Sequence, residues 1–130
     1  MKKTILISFL TVVICLFGAS NIFADSNWTP VKGFEHNMNL YGKVLVNGTM
    51  VQSTDFTIAA FDDLDVCKGK AIIKMHDKNI NFFMTISSNN DGEKLYLKLL
   101  DTKTGTEYKV LDSITFKSDT TIADKVVNAF

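Results

Sequence analysis

The chain has 130 residues, with 14 basic and 14 acidic side chains, two cysteines and one proline. It contains no arginine, so an anion site built on a two-pronged guanidinium clamp is excluded. The balanced charge also argues against nucleic-acid binding, which usually needs a concentrated positive face.

The N-terminus has the pattern of a secretory signal peptide. Lys2 and Lys3 precede an apolar run from Ile5 to Ala19, and Ala24 is a small residue at the expected cleavage site. Cleavage after Ser20 is the alternative. About 15 apolar residues are too few for a membrane-spanning helix, which needs roughly 20.

We therefore predict a signal peptide over residues 1–24 and a single domain over residues 25–130. The domain has 106 residues, and loss of the two leading lysines leaves 12 basic against 14 acidic residues, a formal charge of −2. A chain of this size is expected to form one core. The prediction places it outside the cytoplasm, in the periplasm or at the cell exterior, with no membrane span after cleavage.

Alternation of apolar and polar residues predicts seven or eight short strands. Asn47-Gly48 has the composition of a two-residue hairpin turn, because both residues tolerate positive φ. The tail also fits helical spacing, although we favour a closing strand. Nine candidate segments, from which seven or eight strands are expected, cover about 38–46, 49–52, 56–60, 67–75, 80–87, 94–100, 106–111, 113–117 and 122–130.

This pattern predicts an all-β fold, a seven- to eight-stranded antiparallel β-sandwich of immunoglobulin-like or jelly-roll-like type. The stretch from Phe56 to Lys70 is expected to be its central hairpin. Because side chains alternate between the two faces of a strand, Cys67 on the second strand of that hairpin is expected to point inward, and Lys68 and Lys70 are expected to point outward. Because Cys15 leaves with the signal peptide, Cys67 has no partner for an internal disulfide and is predicted to be a core residue.

Several short motifs follow one another along the chain. They are Trp28 with Pro30, Asn47-Gly48, Ile58-Ala59-Ala60-Phe61, Cys67-Lys68-Gly69, Gly92-Glu93, and Asp101 followed by Gly105. Their order resembles a family of bacterial β-sandwich modules from secreted and cell-surface proteins, mostly of unknown function. Lys68 stands where that family more often has Arg, and the turn before Cys67 is slightly longer here. The resemblance implies the fold and an exported location, and it brings no catalytic residues.

The acidic turn of the hairpin contains candidate metal ligands. Asp62, Asp63 and Asp65 could supply oxygen ligands to calcium, which takes six to eight of them. The favoured interpretation is that these carboxylates cap backbone N–H groups of an exposed turn, since the regular spacing of a calcium loop is missing. The turn at residues 89–93 is interpreted in the same way, and no cofactor is expected.

Aromatic side chains are the candidates for ligand binding. Trp28, Tyr41 and Tyr96 could offer ring faces to sugars or contact area to protein partners. The competing interpretation is that Trp28 packs over the core and that the tyrosines are ordinary strand residues.

The sequence does not favour an enzyme. Cys67 with His36 or His76 would need hydrogen-bond contact and a third, orienting group, and no pattern places two glutamates across a cleft as glycoside hydrolysis requires. We predict a non-enzymatic binding module whose partner is a protein or carbohydrate at the cell surface. The alternative is a structural component that assembles through sheet edges, for example the segment from Glu93 to Leu100. A small hydrolase is a third possibility.

Overall fold

The computed structural model describes residues 28–130, so the predicted signal peptide lies outside the described residues. These residues form eight strands, and the all-β prediction is confirmed. The described part of the chain has no helix long and apolar enough to cross a membrane. The strands are β1 His36–Val46, β2 Thr49–Met50, β3 Phe56–Phe61, β4 Cys67–His76, β5 Asn79–Ser88, β6 Lys94–Asp101, β7 Glu107–Thr115 and β8 Thr121–Ala129.

The predicted turn between β1 and β2 is confirmed. Asn47 has a φ of 50° and Gly48 a φ of 80°, so both central residues adopt the left-handed conformation of a type I′ hairpin. The turn between β4 and β5 is built in the same way, with φ of 48° at Asp77 and 68° at Lys78. The tail is a strand, β8, as favoured above.

The arrangement of the strands differs from the predicted antiparallel sandwich. The order is β2-β1-β5-β4-β3-β6-β7-β8, and β8 returns to pair with β1, so seven strands close into a barrel with β2 outside it. The closing pair is parallel, running from Asn39↔Thr121 to Val46↔Ala129. Alternation in the sequence gives the buried face of each strand. It does not give the pairing of two strands that are about 80 residues apart.

The closing pair is close-packed at Gly42. A Cβ atom at this position would lie 2.0 Å from the backbone oxygen of Lys125, so only glycine fits between β1 and β8 here. The register of the pair shifts between Leu40 and Gly42, at the same point of contact.

The barrel interior is filled by the inward-facing residues of all seven strands. β3 is also covered on its outer face, where Trp28, Ala59, Phe61, Cys67 and Leu100 form a second buried cluster. The segment over residues 28–35, called the covering segment below, provides this cover. The interior cluster is Met38, Leu40, Val44, Val51, Ile58, Ala60, Ala71, Ile73, Ile80, Phe82, Met84, Ile86, Leu95, Leu97, Leu99, Ile114, Phe116, Val127 and Ala129.

The segment proposed as a free sheet edge, Glu93 to Leu100, is not an edge. β6 pairs with β3 on one side and with β7 on the other, so its backbone groups are taken by neighbours. The sequence-based assignment of this edge is wrong because strand order, which decides what is an edge, depends on long-range pairing.

The barrel has a weakly paired side between β7 and β8. Their ladder contains only Val110↔Ala129, next to mutual backbone hydrogen bonds between Lys109 and Phe130. Further along, the Asp112 carboxylate accepts a hydrogen bond from the backbone N–H of Asn128 at 3.3 Å. The Asp112 side chain thus accepts the hydrogen bond that a backbone carbonyl of β7 would accept if the ladder continued.

Candidate functional site

The main candidate site is a groove on the outside of the barrel between β4 and β5. The ladder between these strands runs from His76↔Asn79 to Ile73↔Phe82 and stops there. From Ile72 towards its N-terminal end, β4 pairs with β3 instead. The hollow on the outer face beside this ladder is the β4–β5 groove, with a volume of ≈ 590 Å³.

Apolar and aromatic side chains form much of the groove wall. Ile72 is 58% exposed and Phe83 is 57% exposed, and half-buried Tyr41 stands opposite Phe83 in the β1–β5 register. Exposed apolar side chains that share one concave surface are a common mark of a ligand or partner site. The sequence pattern contained one sign of this, because Phe83 was the single apolar exception on the polar face of β5.

Two lysines line the groove without a counter-charge. Lys70 and Lys74 both face it, and neither has a carboxylate within 4 Å among residues 28–130. His76 also lines the groove, but its Nε2 lies 3.4 Å from Asp77 Oδ2. The groove therefore has a positive character that the rest of the described chain does not neutralise.

The groove also contains an unpaired acceptor. The Oδ1 atom of Asn81 is buried, and no donor within residues 28–130 bonds to it. An acceptor buried without a donor costs about 1–3 kcal/mol.

Near the N-terminal end of β4, outside the groove, a lysine is buried. Only 6% of Lys68 is exposed, contrary to the prediction that it points outward. Its Nζ lies 3.8 Å from Asp62 Oδ2 and 3.7 Å from Glu93 Oε1, and 3.8 Å from the centre of the Phe34 ring. Two carboxylates and an aromatic face hold this cation beneath the covering segment.

The physical reason for this error is an irregularity in β4. Ala60 pairs with Gly69 and Phe61 pairs with Cys67, so the register shifts at Lys68. The shift interrupts the alternation from which the outward direction of Lys68 and the inward direction of Cys67 were predicted. Cys67 is buried, as predicted, but in the outer cluster beside Trp28 and not in the barrel interior.

Burial sets the chemistry of Cys67. Its thiol is 3.5 Å from the carbonyl oxygen of Gly69 and donates to it, and burial raises the pKa of the thiol above its ordinary value of 9.0. A thiol of this kind stays protonated at neutral pH and is a poor nucleophile.

The three aspartates of the acidic turn have separate contacts. Asp62 Oδ1 accepts hydrogen bonds from the backbone N–H groups of Leu64 and Val66, at 3.0 and 2.8 Å. Asp65 lies 2.7 Å from Lys98 Nζ, and Asp63 is exposed. Within residues 28–130, no three acidic, histidine or cysteine side chains gather as a metal site would require. The expectation that no cofactor binds, and the alternative of calcium at this turn, both stay untested by these contacts.

The second acidic turn is likewise bound to its own chain. Asp91 accepts hydrogen bonds from both the hydroxyl and the backbone N–H of Ser118, each at 2.7 Å. These bonds, the side-chain one first, lower the pKa of Asp91 below its ordinary value of 3.8. Glu93, at the end of the turn, accepts a hydrogen bond from the buried Ser88 hydroxyl.

The three aromatic candidates do not share a surface. Trp28 is 3% exposed and packs edge-on against Phe61, with ring centroids 5.5 Å apart, so it is a packing residue of the covering segment. Tyr96 is 41% exposed and lies by a separate hollow with Tyr108. Only Tyr41 lines the β4–β5 groove.

Comparison with models of known protein families finds no match for this sequence. A search of curated proteins also finds no match. The resemblance to secreted β-sandwich modules therefore stays a prediction, and the function has to be inferred from the residues of this chain.

Proposed function

We propose that the protein is a non-enzymatic binding module that acts on a protein or a glycan, and that it binds this partner in the β4–β5 groove. We further propose that it is exported by a bacterium and works at the cell envelope or outside the cell, as the N-terminal sequence pattern suggests. Proteins of this kind use a rigid sheet to present a ligand surface.

One observation supports this proposal above the others. The groove combines exposed apolar side chains, Ile72 and Phe83, with two lysines that have no carboxylate within 4 Å in the described chain. Neither feature contributes to the barrel interior. Side chains that the fold does not use are the ones that remain for a partner.

The test compares two substitutions of exposed apolar residues by serine. Phe83→Ser alters the groove, whereas Leu64→Ser is the matched control in the acidic turn, where Leu64 is 80% exposed. Both variants and the parent protein would be applied to a glycan array and used for pull-downs from a cell-envelope extract. We expect the parent and Leu64→Ser to retain the same ligands and Phe83→Ser to lose them. If all three proteins retain the same ligands, the groove is not the binding site.

A second candidate function is assembly through sheet edges. It is favoured by the weakly paired side of the barrel, where Leu111, Val126 and Phe130 are exposed and β7 pairs with β8 only at Val110↔Ala129. Strand edges that are not paired can accept a strand from another chain. Sedimentation over a range of concentrations would reveal such oligomers, and Val126→Lys should dissociate them. Turnover of a generic ester or glycoside substrate would instead support the small hydrolase.

A further inference from the structure

The groove wall contributed by β4 has a regular chemical pattern. Lys70, Ile72 and Lys74 lie two residues apart and all line the groove, while the residues between them, Ala71 and Ile73, are buried in the barrel. Side chains two residues apart on a strand are about 6.6–6.8 Å apart, so the two lysine positions are separated by about 13 Å. The pattern is cation, apolar residue, cation.

An extended peptide has the same repeat as a strand. Its side chains on one face are also about 6.6–6.8 Å apart, so it can place an acid, an apolar residue and an acid opposite Lys70, Ile72 and Lys74. The order is symmetrical, so the match holds for either direction of the peptide.

Resting on the proposed function, we propose that the groove binds an extended acidic segment of a partner protein, in which two carboxylate side chains at positions 1 and 5 flank an apolar side chain at position 3. The apolar side chain lies between Ile72 and Phe83. The carboxylates pair with Lys70 and Lys74.

The composition of the groove favours a peptide over an acidic polysaccharide. A sugar exposes many hydroxyl groups that need polar partners when water is removed. Besides the two lysines, the polar side chains that line the groove are those of Tyr41, His76 and Asn81, with no carboxylate, serine or threonine among them, whereas its apolar side chains suit an aliphatic or aromatic residue. An acidic glycan is therefore an outcome of the test and not the proposal.

The experiment measures binding of fluorescein-labelled peptides by anisotropy. The test peptide has the order Asp-Thr-Phe-Thr-Asp, the register control Asp-Asp-Phe-Thr-Thr has the same composition, and a third peptide replaces both acids of the test peptide by lysine. We expect the test peptide to bind at least tenfold more tightly than the register control. The lysine peptide should not bind, and affinity should fall as salt is raised.

Two double variants complete the design. Lys70→Glu with Lys74→Glu should weaken binding of the test peptide at least tenfold and create binding of the lysine peptide. Lys109→Glu with Lys117→Glu makes the same change in net charge at exposed residues elsewhere and should alter affinity less than twofold. Circular dichroism would show that both variants are folded.

The outcomes that contradict the proposal differ from those that contradict the function itself. Equal binding of the two acidic peptides overturns the alternating order but keeps the groove as a binding site. If polygalacturonate binds more tightly than any peptide, and the Lys70→Glu, Lys74→Glu variant loses this binding, the groove binds a glycan and not a peptide. Absence of binding by every probe, with no chemical-shift change at Phe83 or Asn81 in nuclear magnetic resonance spectra, overturns both the peptide and the proposed function.

Discussion

The two ends of strand β4 use lysine differently. At the covered end, Lys68 lies under the covering segment with carboxylates 3.7 and 3.8 Å from its Nζ. At the open end, half-buried Lys70 and exposed Lys74 line the groove with no carboxylate within 4 Å among residues 28–130. All three lysines belong to one strand of ten residues.

The difference separates charges that hold the fold from charges that the fold leaves free. A buried cation is tolerated only when nearby groups compensate for its lost hydration. An exposed lysine needs no such partner and contributes little to stability. Substitutions at the covered end should therefore change the free energy of unfolding, and substitutions at the open end should change binding alone.

The largest effect is expected from Trp28→Ala, which removes the main side chain of the covering segment. Trp28 is 3% exposed against Phe61, and replacement of a buried large aromatic by alanine costs about 3–5 kcal/mol. Urea denaturation would measure this loss. Val31→Ala is the control, because Val31 is 48% exposed and should change stability by no more than about 0.5 kcal/mol. Equal stability of the two variants would mean that the covering segment does not hold the covered end.

The next effect is expected from Lys68→Met. Removal of the cation leaves Asp62 and Glu93 facing each other in a poorly hydrated site, which should cost about 3 kcal/mol, at the lower end of the range for breaking a buried pair. Guanidinium denaturation at pH 7 would measure the change.

Two further variants show whether charge is the cause. Lys68→Arg keeps the cation and should lose less stability than Lys68→Met. Addition of Glu93→Gln to Lys68→Met removes one uncompensated carboxylate and should recover part of the loss. If Lys68→Met proves as stable as the parent protein, the covered end depends on packing and not on its ion pairs.

The sequence predicted the strands and turns better than it predicted which strands pair with one another. The strands and both two-residue turns follow from local properties, such as the alternation in β5 and the positive φ tolerated at Asn47-Gly48. Closure of the barrel depends on the parallel pair of β1 and β8, which no local pattern specifies. The predicted sandwich and the predicted free edge at β6 therefore differ from the strand order that the structure shows.

The same reasoning explains what could be predicted of the site. Phe83 breaks the alternation of β5 and could have indicated an exposed apolar surface, but it was not among the predicted ligand-binding residues. The burial of Lys68 could not be predicted, because it depends on the register shift between Ala60 and Phe61. The burial of Cys67 was predicted correctly, although on the wrong face of the sheet.

A smaller, pH-dependent effect is expected at Cys67, next to the covered end. Burial raises the pKa of the thiol above 9.0, so the folded protein holds this proton more tightly than the unfolded chain does. The stabilisation is complete below pH 9 and is lost as pH rises through the folded pKa, by at most about 1.4 kcal/mol per pH unit.

Cys67→Ala is the comparison for this effect. The difference in unfolding free energy between the parent protein and this variant should shrink above pH 9, whereas it should be constant between pH 6 and pH 8. The native protein should also react slowly with a thiol reagent such as dithionitrobenzoate at pH 7.5. Labelling as fast as that of the urea-unfolded chain would show that the thiol is exposed and the assigned burial wrong.

The smallest change in stability is expected at the open end. Lys70→Met and Lys74→Met should each leave the free energy of unfolding within about 0.5 kcal/mol of the parent value, because no carboxylate of the described chain pairs with either lysine. Lys68→Met is the matched substitution on the same strand. Any difference in unfolding free energy between these variants therefore comes from the surroundings of each lysine and not from the residue type. A loss comparable to that of Lys68→Met would mean that these lysines hold the barrel together. In that case the positive charge of the groove would be explained by folding, and the argument for an acidic ligand would lose its basis.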